Sequence, residues 1–469
     1  MDRWRFIAVG IAVATLAGCQ PGPFDDAAYP RARPLGERLN AYRAPKQVDR
    51  TEPHATSLET VEPIGELTLR QAMALAVAQN PELKAYSWDV RRAEALTLQA
   101  GLWPNPELEV EFENFAGSKQ FSGVDSLETK VSIAQAFPIG GDIERRRDVA
   151  RYQSQLAGWD YEAARLEVLT DVTQRYINVL TAQRRVQVAV DALQVARQLQ
   201  ATTDKRIDAG DTAPIEAARA SVPVATAEVD VRRAERRLKA ARKQLALTWG
   251  SGDVRFDGLA GVLDDITPPP SADALVELIN QNPSVARWAT EISTRLAEAR
   301  LAEAEAIPNL TGRLGVKHDG ADDAAALIVG LSLPLPIFDR RQGDLLAARF
   351  GAASARQRQR EAELRLETML SKAYARMADA YDEAIALRDL ALPPANEAFN
   401  ATRHAFEQGD LTFINVLDAE RTLVELRTRY LDALAEYHRA ATEIEGLVGQ
   451  SLEQFTPAGR LSADRATGD

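Results

Sequence analysis

Only one cysteine, four histidines and four methionines occur in 469 residues. A single cysteine excludes an intrachain disulfide. His54, His318, His404 and His438 are scattered, and none forms a His-Glu-x-x-His or similar ligand pair. No Gly-rich phosphate loop with a lysine follows a strand-like run. No soft-ligand cluster of the kind that selects Cu(I) is present. Carboxylates are plentiful but are spread over helical stretches as solvated charge. The expectation is a protein that is not an enzyme, with no resident metal and no cofactor. Positive charge is also short, since the net charge is −12. That argues against a nucleic-acid partner. Aromatics make up only 6%, while Ala, Leu, Arg, Glu and Gln are abundant. This mixture favours long helices packed closely through small residues. Beyond the first residues no apolar run approaches about 18 residues. Any membrane crossing must then be made by strands.

What is present begins at the N-terminus. Arg3 and Arg5 precede the apolar run Phe6–Leu16, which leads to Leu16-Ala17-Gly18-Cys19. A basic start, a short apolar core and small residues before a cut site describe a secretory signal over 1–18. A membrane anchor or a buried helix with a free thiol is the competing reading, although spanning a bilayer takes about 20 residues. Leu-Ala-Gly-Cys also resembles the bacterial lipobox. That resemblance implies a lipidated Cys19, and Gln20 in place of Asp implies sorting to the outer membrane. Residues 19–65 are rich in Pro and polar residues and read as an extended linker. Residues 451–469 read as a flexible tail.

Between these ends the chain repeats itself. "AQNPELKA" at 78–85 matches "NQNPSVAR" at 280–287, and "LWPNPEL" at 102–108 matches "AIPNL" at 306–310. "AFPIGGDIERRR" at 136–147 matches "LPLPIFDRRQGD" at 333–344, and "IDAGDTAPIEAARA" at 207–220 matches "FEQGDLTFINVLDAE" at 406–420. The offset is about 200 residues each time, which indicates a tandem duplication. The first copy takes 66–266 and the second 267–450, joined at "TPPPSAD". Each copy reads as one helix (67–101; 272–306), two alternating segments (107–117 and 127–137; 308–318 and 325–336) and two long helices. The long helices, 141–208 and 212–249, then 340–408 and 412–449, meet at Gly210-Asp211 and Gly409-Asp410. Val149, Tyr152, Leu156, Trp159, Ala163 and Leu166 follow a heptad rhythm, as do Leu370, Ala373, Met377, Ala380, Ala384, Leu387 and Ala391. Such spacing predicts coiled-coil seams with close approach at alanine. Pro393-Pro394 should kink the second copy's first long helix partway along.

The alternating segments have two faces. Leu108, Val110 and Phe112 alternate with Glu109, Glu111 and Glu113. Leu127, Thr129, Val131 and Ile133 oppose Glu128, Lys130 and Ser132. Leu310, Leu314 and Val316 oppose Thr311, Arg313 and Lys317, and Leu327, Val329, Leu331, Leu333 and Leu335 share one face. Each is near the length of a tilted transmembrane strand. The apolar residues are expected to face lipid, and Glu109, Glu111 and Glu113 a water-filled lumen. Four strands cannot close a membrane barrel, and open edges are forbidden in lipid. Three protomers would give a 12-stranded barrel and a tube of twelve helices. The fold class is therefore mainly α with a membrane β part.

This architecture resembles the TolC-like outer-membrane efflux channels, within them the branch typified by the outer-membrane subunit of cobalt–zinc–cadmium resistance pumps. The resemblance rests on "QNPEL" (79–83), "AGLWPNPELEVEFEN" (100–114), "AFPIGG" (136–141) and the "LPP…FEQGD…INVLDAE" run, and covers 66–450. It implies a homotrimeric channel-tunnel that passively conducts heavy-metal cations or drugs. Its implied partners are a periplasmic adaptor, an inner-membrane resistance-nodulation-division pump and outer-membrane lipid. The family's periplasmic entrance narrows at Gly followed by Asp-Val-Leu-Asp-Ala. Here Gly409 leads to Asn415-Val416-Leu417-Asp418-Ala419, so Asp418 is the implied gate carboxylate and Asn415 replaces the other. Glu216 holds the position of Asn415 in copy one. A periplasmic adaptor lipoprotein is the rival reading, but an adaptor usually carries one helical hairpin beside Gly- and Val-rich domains.

Overall fold

The structure is a computed structural model that describes residues 63–452. Cys19, the proposed signal, most of the linker and most of the tail lie outside the described residues. The chain opens with strand β1 (Gly65–Leu67), helices α1 (Leu69–Gln79) and α2 (Pro81–Ala100), and strands β2 (Glu107–Glu113) and β3 (Glu128–Phe137). Helices α3 (Asp142–Asp208) and α4 (Ile215–Leu247) form the first long hairpin, followed by strand β4 (Phe256–Leu259). The second half runs through α5 (Ala272–Val276), α6 (Pro283–Glu305), β5 (Leu310–Asp319) and β6 (Ala324–Ser332). It closes with α7 (Gln342–Ala386), a π segment (Leu387–Ala391), α8 (Leu392–Gln408) and α9 (Phe413–Val448).

Helix α3 is 67 residues long, which is about 100 Å at 1.5 Å per residue. Acidic Asp142 and Glu144 in its first turn and Lys205 and Arg206 in its last complement the helix dipole. It packs on α4 and α9 along its flanks and on α2 and α6. A backbone approach this close needs small residues. A Cβ on Gly446 of α9 would lie 2.6 Å from Thr170 Oγ1 of α3.

The expected helix at 67–101 is two helices. Asn80 stands before Pro81 and takes ψ 123°, the extended backbone that a following proline favours. Its Oδ1 accepts from the N–H groups of Glu82 and Leu83 at 2.8 and 3.1 Å. Its Nδ2 donates to the Thr248 carbonyl at 2.8 Å, tying α2 to the end of α4. Asn282 repeats the device, accepting from Ser284 N–H at 2.9 Å and donating to Leu447 O at 3.0 Å at the end of α9. The repeated "QNP" therefore fastens each copy's hairpin to its lateral helix.

A short parallel pair, β1 with β4, was not foreseen. Leu67, Phe256 and Leu259 are buried with Trp249 in one apolar cluster. Tyr176 of α3 donates to the Leu67 carbonyl at 2.8 Å, and burial pushes its phenol up to about 12.

The two heptad readings fare differently. Leu370, Ala373, Met377, Ala380, Ala384 and Leu387 are all buried. Of the copy-one seam only Val149 is buried, and the buried residues of α3 include Tyr161, Ala164, Val168, Leu169 and Val172 instead. Helix α3 has neighbours on several sides, so its apolar residues are not confined to one stripe. Ahead of Pro393 the helix widens into the π segment, which accommodates a residue without an N–H inside a continuous run.

Candidate functional site

Two regions carry the candidate site residues. The first is a four-stranded antiparallel sheet in the order β2-β3-β5-β6. Its register aligns like with like. Val110, Val131, Val316 and Leu327 form one row across all four strands, and Leu108, Ile133, Leu314 and Val329 form another. All eight are exposed, with Leu108 at 70% and Val329 at 71%. An apolar face this large and continuous is not left to water in a soluble protein.

The opposite face is charged. Lys130 Nζ lies 2.6 Å from Glu113, 3.7 Å from Glu111 and 3.6 Å from Glu128. Lys317 pairs with Glu128 at 2.6 Å, and Arg313 with Glu109 at 2.9 Å. The four glutamates of β2 (Glu107, Glu109, Glu111 and Glu113) thus share one face with Glu128 and Asp319, against only three cations, Lys130, Arg313 and Lys317. Carboxylates remain in excess. Among the described residues the outer edges of β2 and β6 are unpaired.

The strands are shorter than expected at two ends. β2 stops at Glu113, where Asn114 and Ala116 turn the chain with φ of 60° and 55°. β6 stops at Ser332, so Leu333 and Leu335 lie beyond the ladder. Pro334 and Pro336 remove the donors that would continue it.

The second region is the pair of hairpin tips at the far ends of the long helices. Gly210 and Gly409 take φ of 80° and 93°, the left-handed turn that favours glycine. Asp211 N–H then donates to Arg206 O at 2.8 Å, and Asp410 N–H to Ala405 O at 2.9 Å. Phe406, Phe413, Val416, Leu423 and Leu199 build an apolar cluster behind the turns. On α9, between Val416 and Leu423, Glu420 is buried, and that burial pushes its carboxyl up to about 7.

The gate candidates differ in surroundings. Asn415 Oδ1 accepts from Thr412 Oγ1 at 2.6 Å and from Thr412 N–H at 3.3 Å, so it closes a capping box at the start of α9. Asp418 is exposed one turn further on. Glu216 is half-buried and bonded to Arg219 at 2.8 Å. Aligning the two turns from Gly210 and Gly409 places Arg219 opposite Asp418, a correspondence that the quoted repeat contained and that sequence reasoning passed over. No bond-making constellation is assembled here. Such an arrangement can guide ions by charge.

A sheet with one apolar face and one charged face, carried on helices of this length, is the build of an outer-membrane channel protomer. The chain belongs to the outer membrane efflux protein family, whose model matches residues 72–251 and 274–450. It is similar to the cobalt-zinc-cadmium resistance protein CzcC of Cupriavidus metallidurans, 31% identical over 423 residues, covering 89% of this chain and 99% of that protein. A crystal structure of a membrane protein from Pseudomonas aeruginosa shares the fold at a TM-score of 0.68 and 22% identity, covering 87% of this chain and 97% of that one. The open state of the MtrE outer membrane channel of Neisseria gonorrhoeae does so at 0.67 and 17%, covering 82% and 89%.

Proposed function

We propose that three copies of this chain close a 12-stranded outer-membrane barrel above a twelve-helix tube, and that the tube conducts heavy-metal cations out of the cell. The observation that carries this reading is the sheet. It has two unpaired edges, an exposed apolar face and a charged face with surplus carboxylates. Bare edges and apolar rows are tolerable together only in a closed, lipid-facing wall. Surplus carboxylates on the other face favour cations in the lumen. The cation assignment is supported by the similarity to CzcC across nearly its whole length.

In this reading the channel performs no chemistry. An inner-membrane resistance-nodulation-division pump supplies the energy, and a periplasmic adaptor grips the helical shaft. Residues 1–18 are removed, Cys19 carries lipid, and 19–65 is the tether to the first repeat. Asp418 forms a ring of three carboxylates at the periplasmic entrance, with Asn415 and Glu216 beside it.

The test is deletion of this chain from its host, followed by growth on Zn, Co, Cd, Ni, Cu and Ag salts and on a drug panel. Loss of tolerance to divalent metals, restored by the full chain, is the expected result. Loss confined to the drug panel would overturn the cation assignment.

A further inference from the structure

The helices that reach the tips lie side by side in the order α4, α3, α9 and α7–α8, because α3 packs on α4 and α9 while α9 packs on α7 and α8. Toward the tips the two outer helices each keep an exposed flank; higher up, Lys239 and Lys243 of α4 also line a cavity with residues 252–257, and α7 packs on α6. On α4 the residues toward α3, such as Ala220, Leu238, Leu245 and Ala246, are buried or half-buried. The opposite flank repeats with the same heptad rhythm. It carries Ile215, Val222 (62% exposed) and Val229 near the tip, then Arg232, Arg236, Lys239 and Lys243 above them. None of these four cations is in an ion pair among the described residues. A second a/d stripe on a helix marks a second helical neighbour.

The flank of α7 turned away from α9 is its counterpart. Asp379, Asp382 and Ala386 are exposed there, followed by Leu390 (75% exposed) in the π segment. Neither aspartate is in an ion pair among the described residues. The two tips are level, since Arg206, one turn before Gly210, bonds to Phe406 O, one turn before Gly409. Rotation about a tube axis preserves height. Counted from the glycine turns, Val229 then meets Leu390 about 30 Å up, and Arg236 and Lys239 meet Asp382 and Asp379 about 40 Å up.

We propose that the α4 flank of one protomer packs on the α7 flank of the next as an antiparallel seam. Val229 sits on Leu390, and Arg236 and Lys239 pair with Asp382 and Asp379. This rests on the trimeric tube proposed above and names the surface that closes it. The occupant is a second copy of this chain, because at matched height the charges of the two flanks are opposite in sign, Arg236 and Lys239 against Asp382 and Asp379; Lys372, one heptad above Asp379, lies outside this matched segment.

The test uses the full-length protein in outer-membrane vesicles. Arg236→Cys with Asp382→Cys should give crosslinked dimers and trimers under a mild oxidant. Arg237→Cys with Asp382→Cys is the control, because residue 237 is turned by roughly 100° on the helix. It should crosslink at least several-fold less. In parallel, Arg236→Asp with Lys239→Asp should lower the temperature at which the trimer dissociates, as should Asp379→Lys with Asp382→Lys. Combining all four substitutions should restore it. A wild-type protein that is monomeric by native mass would overturn the trimeric reading itself. A wild-type trimer with no preferential 236–382 crosslink and no rescue by the combined swap would leave the trimer standing and overturn the seam.

Discussion

Arg206 Nη1 of α3 donates to the main-chain oxygen of Phe406 of α8 at 3.1 Å, with its guanidinium carbon 5.1 Å from the Phe406 ring centroid. One side chain from the first repeat thereby caps the last turn of a helix in the second. A cation at a helix C-terminus gains from the dipole and from the unpaired carbonyls. Arg206→Ala should cost about 1–2 kcal/mol locally. Amide exchange across residues 400–412, followed by mass spectrometry, should quicken while exchange in the sheet is unchanged. Unchanged exchange at the tip would show that the apolar cluster alone holds the hairpins together.

The sheet makes a prediction for each residue of β2. Cysteines replacing Glu109, Glu111 or Glu113 should react with a membrane-impermeant thiol reagent, and those replacing Leu108, Val110 or Phe112 should be protected. Cys19→Ala is the background. Val110 stands in the middle of an apolar row, so Val110→Arg should cost roughly 2–4 kcal/mol if the row lies at the bilayer midplane. Uniform labelling along 108–113 would remove the barrel wall.

Glu420 sets a pH dependence. Burial raises its carboxyl to about 7, whereas an unfolded glutamate titrates at about 4.3. The folded chain therefore binds this proton more tightly. The stability contribution is full below about 4.3 and is lost as the pH rises through about 7. Glu420→Gln should flatten the slope between those values and raise stability at pH 8 by roughly 2–4 kcal/mol relative to wild type. Melting of the detergent-solubilised protein at pH 5 and pH 8 tests this. Parallel slopes for the two proteins would mean that Glu420 titrates normally.

Cys19 should carry the lipid. A fatty-acid analogue should label the wild-type chain and not Cys19→Ser. Equal labelling of both would mean that the Leu-Ala-Gly-Cys stretch is only a cleavage site.

Much of the fold was legible because its signals are local. The alternation of β2 and the duplicated "QNP" and Gly-Asp turns need no knowledge of partners in space. The seam of α7 was legible because Leu370, Ala373 and Met377 lie on one stripe, buried in a single apolar cluster with Tyr437, Ala440 and Ile444 of α9. The seam of α3 was not, because several neighbours share its surface. The β1–β4 pair joins residues far apart in sequence, with strands too short to show a period. The role of Asn415 was hidden for a different reason. A capping box with Thr412 uses the side chain for local hydrogen bonding, while the comparison with a charged gate concerned only its missing charge.

That capping role sharpens the last prediction, which concerns the entrance. In the proposed trimer three copies of Asp418 should converge near the periplasmic entrance, and their field should draw cations and oppose anions. Asp418→Ala should reduce cation preference in a planar bilayer and weaken block by a multivalent cation added on the periplasmic side. Asn415→Asp should do the opposite. An aspartate there can still accept from Thr412 N–H and Oγ1, and its charge suits the first turn of α9. The substitution therefore adds charge without undoing the cap, so any change in conduction reports charge rather than a frayed helix. Glu216 differs, since its carboxylate is already paired with Arg219. Glu216→Gln should release that guanidinium and shift selectivity away from cations, by less than Asp418→Ala does. Conductance, ion selectivity and hexamminecobalt block would be read for the three variants and wild type. If Asp418→Ala leaves all three at wild-type values, Asp418 is a solvated helix charge and the constriction lies elsewhere.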